Sequence, residues 1–278
     1  MDANEKTYWS PAQFAVIQLE LDEYRDFLSF EAEYQLTQES LRIDIVVIKK
    51  NKDVIIEKNI GRIFRAHNLI EFKSENDYIS INDFYKVNAY SLHYMSLENI
   101  HPKDLTLTFI TRTHPQVLFN TLKDELGCEV AEVSCGIYHV LGFGLVPVQV
   151  IETKLLDADE NLWLGSLTSK IRDKTVVEKI LTKYQEKGKD VSYHTYLSTL
   201  LKANYGTFLE VIESMHDEAK MWEDVEKFLA RIGLLEKTKK SMAMEIAENL
   251  LSKGMQVTDI VDVTGLSMAE IEVLRTSH

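Results

Sequence analysis

The chain has 278 residues, 45% of them hydrophobic, and a formal net charge of −13. That length exceeds a usual single core, so one medium domain with one or two smaller ones is expected, and the acidic balance argues against a generic nucleic-acid binder, whose affinity comes from neutralising phosphates with Lys and Arg. No run of about 18 apolar residues is present, and the start, Met1-Asp2-Ala3-Asn4-Glu5-Lys6, is too polar for a signal peptide, so a cytoplasmic protein without membrane contact is expected.

Ser10-Pro11 is a helix start, with Ser as cap and Pro in the first turn, and Phe14, Ile17, Leu21 and Tyr24 follow at helical spacing over about 11–25. Glu20 borders the buried face of that helix. It is either an ordinary boundary glutamate or a carboxylate brought to the edge of a sheet. Strand-like runs come next, Leu28 to Leu36, Leu41 to Lys50 and Asn68 to Lys73. Between the last two lies the one clear basic island, Lys49, Lys50, Lys52, Lys58, Arg62 and Arg65 against Asp53 and Glu57. It reads equally well as a solvated hairpin or as a loop on a nucleic-acid backbone.

The second and third runs carry the chemistry. Leu41-Arg42-Ile43-Asp44-Ile45-Val46-Val47-Ile48 is an apolar strand with one acid in it, and Asn68-Leu69-Ile70-Glu71-Phe72-Lys73 ends in Glu-x-Lys. A hard cation such as Mg²⁺, or Mn²⁺ in its place, takes oxygen ligands, and Asp44, Glu71 and the Phe72 carbonyl offer them. Such a metal polarises a phosphate and activates water, while Lys73, two residues from Glu71 and on the same face of an extended strand, orients the water or meets phosphate charge. Glu-x-Lys is a common tripeptide, however, and recurs at Glu152-Lys154 and Glu218-Lys220. The Glu218 copy lies in a helical stretch where that spacing points side chains apart. The Glu152 copy ends an apolar run, but no acid-bearing strand precedes it, which makes it the weaker competitor.

A helix over about 82–97 then sets Lys86, Tyr90 and His93 on one stripe, so Lys86 either approaches the scissile phosphate or lies in a half-exposed polar face. A strand at Leu105 to Thr111, a helix from Pro115 to Leu126 and two or three short strands over Glu129 to Ile151, broken at Gly136 and Gly142-Phe143-Gly144, complete an alternating α/β pattern with a mixed sheet. Cys128 and Cys135 lack metal-ligand spacing and are expected reduced, in or near a core. No Gly-rich phosphate loop and no nucleophile elbow occurs.

After Asp157 the pattern turns all-helical, over about 162–187, 194–214, 217–233 and 237–253, which places a boundary there and divides the chain into 1–156, 157–236 and 237–278. Trp163, Tyr184, Tyr196 and Trp222 read as core anchors of the middle region. The last segment resembles a helix-turn-helix: Val257 to Val263 and Ser267 to Arg275 flank Thr264-Gly265-Leu266, and Ser267 with Glu270 forms a capping box. Its final helix lacks the basic and amide side chains that read base edges, which favours packing or assembly over DNA reading.

Taken together, a helix with Glu20, a strand with Asp44, a strand with Glu71-Phe72-Lys73 and a helix with Lys86 resemble the PD-(D/E)XK nuclease superfamily. The runs Ser10 to Glu20, Ile43 to Lys50 and Asn68 to Lys73, with Asp83-Phe84-Tyr85-Lys86-Val87, resemble one branch in particular, the recombination-promoting nuclease or PD-(D/E)XK transposase-like family of bacteria. The resemblance covers about residues 8–151 and, more loosely, Ala247 to Arg275. It implies a restriction-endonuclease-like mixed-sheet core flanked by helices, followed by an all-α C-terminal region, and a Mg²⁺-dependent DNA endonuclease active in recombination or mobile elements. Asp44 and Glu71 would be metal ligands, Lys73 the water-orienting cation, Glu20 an auxiliary carboxylate and Lys86 an additional polar residue. Cutting both strands would most simply use a homodimer. The competing expectation is an inactive nuclease-fold protein that docks DNA or scaffolds an assembly.

Overall fold

The computed structural model describes residues 9–32, 45–51, 54–75, 77–187, 191–214, 243–244, 247, 250–251, 255–264 and 266–276. Asp44, Trp222 and the helix expected over 217–233 lie outside them, as do both members of Glu218-Lys220. The chain divides into two compact units, Met1–Val211 and Ile212–His278. Compactness thus breaks at 211/212 and not at the expected 156/157, because the helices that follow residue 157 pack back on the first helix.

The first unit is mixed α/β. Helix α1 (Ser10–Glu20) is followed by a 3₁₀ turn (Asp22–Phe27), then by strands β1 (Leu28–Glu31), β2 (Ile45–Lys50) and β3 (His67–Phe72). Helix α2 (Ile81–Glu98) leads into β4 (Leu105–Thr111), and α3 (Gln116–Asn120) continues as a π turn through Glu125. Strands β5 (Glu129–Ser134), β6 (Ile137–Leu141) and β7 (Val148–Glu152) follow. The seven strands form one sheet in the order β1-β2-β3-β4-β7-β6-β5. Its centre, β3-β4-β7, is parallel, and both flanks are antiparallel.

Burial explains the sequence of the central strand. All seven residues of β4, Leu-Thr-Leu-Thr-Phe-Ile-Thr, are buried, as expected where both faces of a parallel strand are covered. Leu107 and Phe109 join Val47 and Leu69 beneath Phe84, Val87 and Tyr94 of α2, with the Phe84 and Phe109 rings stacked at 5.4 Å. Each such side chain contributes roughly 1.5–3 kcal/mol on burial. The alternate residues face the other way into a polar seam: Thr106 donates to the Asn68 side-chain oxygen at 2.5 Å, and the Gln149 amide donates to the Ile60 carbonyl at 2.9 Å.

The first helix begins one residue earlier than its sequence suggests. Trp9 is the cap position, and Ser10 is already helical. After β7 come α4 (Leu162–Ser166), α5 (Lys174–Lys187), α6 (Val191–Ala203) and α7 (Tyr205–Ser214). Trp163 lies edge-on to Tyr193 and Tyr196 and is buried with them, so Trp163 and Tyr196 take the anchoring role expected of them, whereas Tyr184 is half-buried with its hydroxyl 3.0 Å from His194 Nδ1. Cys128 is buried, which pushes its thiol pKa up, but Cys135 is exposed.

In the second unit, α8 (Val257–Thr264) and α9 (Met268–Thr276) close on a small core of Ala247, Ile260, Leu266, Ile271 and Leu274. Ser267 and Glu270 make the expected capping box, with the Ser267 hydroxyl donating to Glu270 at 2.6 Å. No helix among the described residues is long and apolar enough to cross a membrane.

Candidate functional site

Strand β3 carries Leu69, Glu71 and Lys73 on the face that α2 covers. Lys73 lies one residue past the strand but stays in the ladder, its N–H donating to the Ile110 carbonyl at 2.8 Å. The two expected side chains therefore do meet: the Lys73 ammonium is 3.7 Å from Glu71 Oε1. It is closer still to Asp83 Oδ1, at 2.8 Å. Asp83 is fixed by the start of α2, where it accepts from the Ser80 N–H at 3.0 Å and from the Ser80 hydroxyl at 2.6 Å, while its own N–H donates back to that hydroxyl. Sequence reading missed Asp83 as a site residue, although Ser80-x-x-Asp83 is a visible helix-start signature.

The electrostatics follow from this arrangement. Burial pulls the Lys73 pKa down, but the hydrogen bond and charge of Asp83, joined by Glu71, outweigh it and hold the ammonium above its ordinary value. Burial alone would raise the Asp83 pKa, but hydrogen bonds from Lys73 and Ser80 draw it down to about 2. Lys73 is thus a fixed cation flanked by carboxylates, suited to donating hydrogen bonds and unsuited to accepting a proton.

Antiparallel pairing sets Ile45 opposite Glu71. Asp44, the preceding residue, lies outside the described residues. Among those described, no group of three or more His, Cys, Asp or Glu side chains is arranged to hold a metal ion. The donors that are described, the Glu71 carboxylate and the Phe72 carbonyl, have the hard-oxygen character that Mg²⁺ takes.

The two helical candidates are placed elsewhere. Glu20 is buried on α1, where its Oε1 accepts the Leu164 N–H at 2.7 Å and its Oε2 lies 2.9 Å from the Lys58 ammonium. Leu164 is the third residue of α4, so Glu20 caps that helix. Burial raises the Glu20 pKa, with Lys58 and the α4 N–H groups opposing. Trp9, the cap of α1, and Gln13 on that helix share a cleft with Lys73. Glu20 lies seven residues beyond Gln13, about 10 Å along the axis. Lys86 is exposed, with its ammonium over the Tyr90 ring at 5.5 Å, one turn further along α2.

The basic island is engaged within the fold. Lys49 pairs with Glu31 at 3.0 Å and Glu98 at 3.4 Å, Lys50 donates to the Val54 carbonyl, Lys58 pairs with Glu20, Arg62 donates to the Glu57 carbonyl and Arg65 to that of Pro102. Lys52 lies outside the described residues.

A second constellation, missed by sequence reading, sits where the parallel strands β4 and β7 end. Glu152, the last residue of β7 and the Glu-x-Lys copy set aside above, is buried with its Oε2 at 2.6 Å from His114 Nδ1. The neighbouring Tyr138 hydroxyl has its pKa pushed up to about 12 by burial and by the Glu132 and Glu152 carboxylates. A pocket of about 740 Å³ opens beside them, lined also by Arg112, Lys154, Asn161 and Arg172. The strand-end acid was the available signal. Its partner was hidden, because β4 and β7 become neighbours only by enclosing β5 and β6 between them in sequence.

Comparison with models of protein families, with curated proteins and with solved structures returns no match for this chain.

Proposed function

We propose that the chain is a Mg²⁺-dependent DNA endonuclease of the PD-(D/E)XK type, acting in recombination or on mobile elements. The observation that carries this reading is the Glu71–Lys73 pair, side by side at the end of a central strand, with β2 pairing beside Glu71 one residue after Asp44. The order helix, three antiparallel strands, helix, then a fourth strand parallel to the third supports a restriction-endonuclease-like core.

In this reading Glu71, the Phe72 carbonyl and Asp44 hold the metal. When bound, the ion supplies positive charge that polarises the phosphate and makes its water more acidic. Lys73, kept protonated by its two carboxylate neighbours, donates to the attacking water or to the charge that builds on phosphorus oxygens. Asp83 holds Lys73 in place, and its own position comes from the start of α2. Glu20 and Lys86 have no part in the step: one caps α4, and the other rests on Tyr90.

A second reading, a nuclease-fold scaffold without activity, is favoured by one observation. Lys73 is nearer to Asp83 than to Glu71, so a structural ion pair already accounts for its charge. Nicking of supercoiled plasmid by the folded protein, with Mg²⁺ and with chelator, separates the two. Metal-dependent nicking that drops about 10²-fold or more in Lys73→Ala and Asp44→Ala supports the enzyme. Intact plasmid after incubation of the folded native protein with Mg²⁺ or Mn²⁺ removes it, and retained DNA binding in that case supports the scaffold.

A further inference from the structure

The pocket at the ends of β4 and β7 combines three features that the cleavage reading does not use. Its position is the first: in open α/β sheets, ligands bind outside the carboxyl ends of parallel strands. Its volume, about 740 Å³, far exceeds a lone phosphate ion and lies within the range of small-molecule sites.

Charge is the second feature. In a chain of net charge −13, this pocket is lined by Arg112, Lys154, Lys170 and Arg172. The acids that line it are engaged by the protein itself. Glu75 accepts from the Ser169 N–H at 2.8 Å and from its hydroxyl at 2.6 Å, also accepts from Thr168, and pairs with Arg112 at 3.4 Å. Glu152 holds His114, and Asp173 accepts from the Thr175 N–H and hydroxyl. Lys154, Lys170 and Arg172 are exposed at the rim. Four cations thus face three carboxylates in the lining, an excess of positive charge that favours an anion.

The third feature is Asn161. Its side chain is fully buried and lines the pocket, yet neither its amide nitrogen nor its amide oxygen has a hydrogen-bond partner. Buried amides left unpaired are costly and rare, and each asks for an explanation. Asn161 occupies the cap position of α4, where its oxygen would ordinarily take the N–H of the third helical residue. Glu20 has taken that N–H instead. The Asn161 donor and acceptor are thereby left side by side, a pair that matches the donor–acceptor edge of a nucleobase.

We propose that this pocket binds a nucleoside monophosphate, with Asn161 reading the base edge and the Arg112, Lys154 and Arg172 cations holding the phosphate. His114 is held through Nδ1 by Glu152, so its Nε2 is the ring atom left to meet the ligand. The proposal goes beyond the cleavage reading and does not rest on it, since no residue of the Glu71–Lys73 pair takes part.

Calorimetric titration of the full chain with the four nucleoside 5′-monophosphates, chelator present, tests the pocket independently of metal-dependent cleavage. Saturable binding is expected, weaker by about tenfold or more for the unphosphorylated nucleosides and in the double variant Lys154→Gln/Arg172→Gln. Asn161→Leu should lose about tenfold or more and level the differences among bases. If Asn161→Leu fails to fold, the surface double variant decides. A short single strand with a terminal phosphate, set against the same strand without one, distinguishes a strand end from a free nucleotide as the source. No saturation at millimolar nucleotide, binding indifferent to the variants, or inorganic phosphate competing as well as nucleotide overturns the proposal.

Discussion

The ends of β3 and β7 carry the same Glu-x-Lys pattern, Glu71-Phe72-Lys73 and Glu152-Thr153-Lys154, and put it to different chemical use. At β3 the chain stays extended through Lys73, so Glu and Lys remain on one face, 3.7 Å apart. At β7 the strand stops at Glu152 and a 3₁₀ turn, Thr153–Leu155, begins at once, which lets Lys154 swing to the surface. Glu152 then finds its partner on the neighbouring strand's exit, His114, and not on its own chain two residues on. A Glu-x-Lys motif is therefore defined by the backbone that follows it as much as by its residues.

The largest expected effect separates the two ends through Glu20. This carboxylate caps α4, which with Asn161 walls the β7 end, while Leu164 of the same helix also lines the cleft that holds Lys73. Glu20→Ala uncaps the helix and leaves the Lys58 ammonium without its buried partner, at a cost of about 3 kcal/mol. Urea unfolding measures it. Any nicking per folded molecule should survive, because Glu20 lies away from Lys73. A stable variant with abolished cleavage would return Glu20 to the catalytic role that its sequence position suggested.

Gly136 offers a change confined to the β7 end. It has φ +72°, and a Cβ built there would lie 2.7 Å from the Glu152 carbonyl oxygen. Gly136→Ala forces the β7 exit to shift and should cost about 2 kcal/mol, read from thermal or denaturant midpoints. Nucleotide binding in the pocket should weaken with it, while the β3 end is left as it is. Unchanged stability would mean that the Glu152 carbonyl gives way freely.

How much of this was legible in the sequence depends on how local each signal is. The full-length match at Leu105–Thr111, the breaks at Gly136 and Gly142-Phe143-Gly144, and the Ser267–Glu270 capping box are set by near neighbours and turn chemistry, and the structure has them as read. The Glu71–Lys73 pairing was legible too, from the period of two along a strand. The role of Glu20 was not, because its partners Lys58 and Leu164 come from distant parts of the chain. His114 and Glu152 stayed hidden for the same reason: a long-range strand order joins them, and no local pattern announces it.

The smallest effect belongs to Asp83, and it probes the β3 end through pH. Its folded pKa of about 2 lies below the ordinary 3.8. A depressed carboxyl stabilises the fold above its unfolded value, and that contribution fades as pH falls from near 4 to near 2. Asp83 is partly exposed, so solvent screening reduces the full linkage value to about 1 kcal/mol. Asp83→Asn should therefore cost about 1 kcal/mol at neutral pH and lose part of the native chain's stability slope between pH 4 and 2, with unfolding midpoints measured at several pH values. The same variant reports on chemistry. Without Asp83 the Lys73 ammonium loses its nearest carboxylate and keeps Glu71 and the charge of Asp77, so a purely structural Lys73–Asp83 pair predicts a stability loss alone. A water-orienting Lys73 predicts in addition a fall in any metal-dependent nicking, because the cation is no longer held at the start of α2.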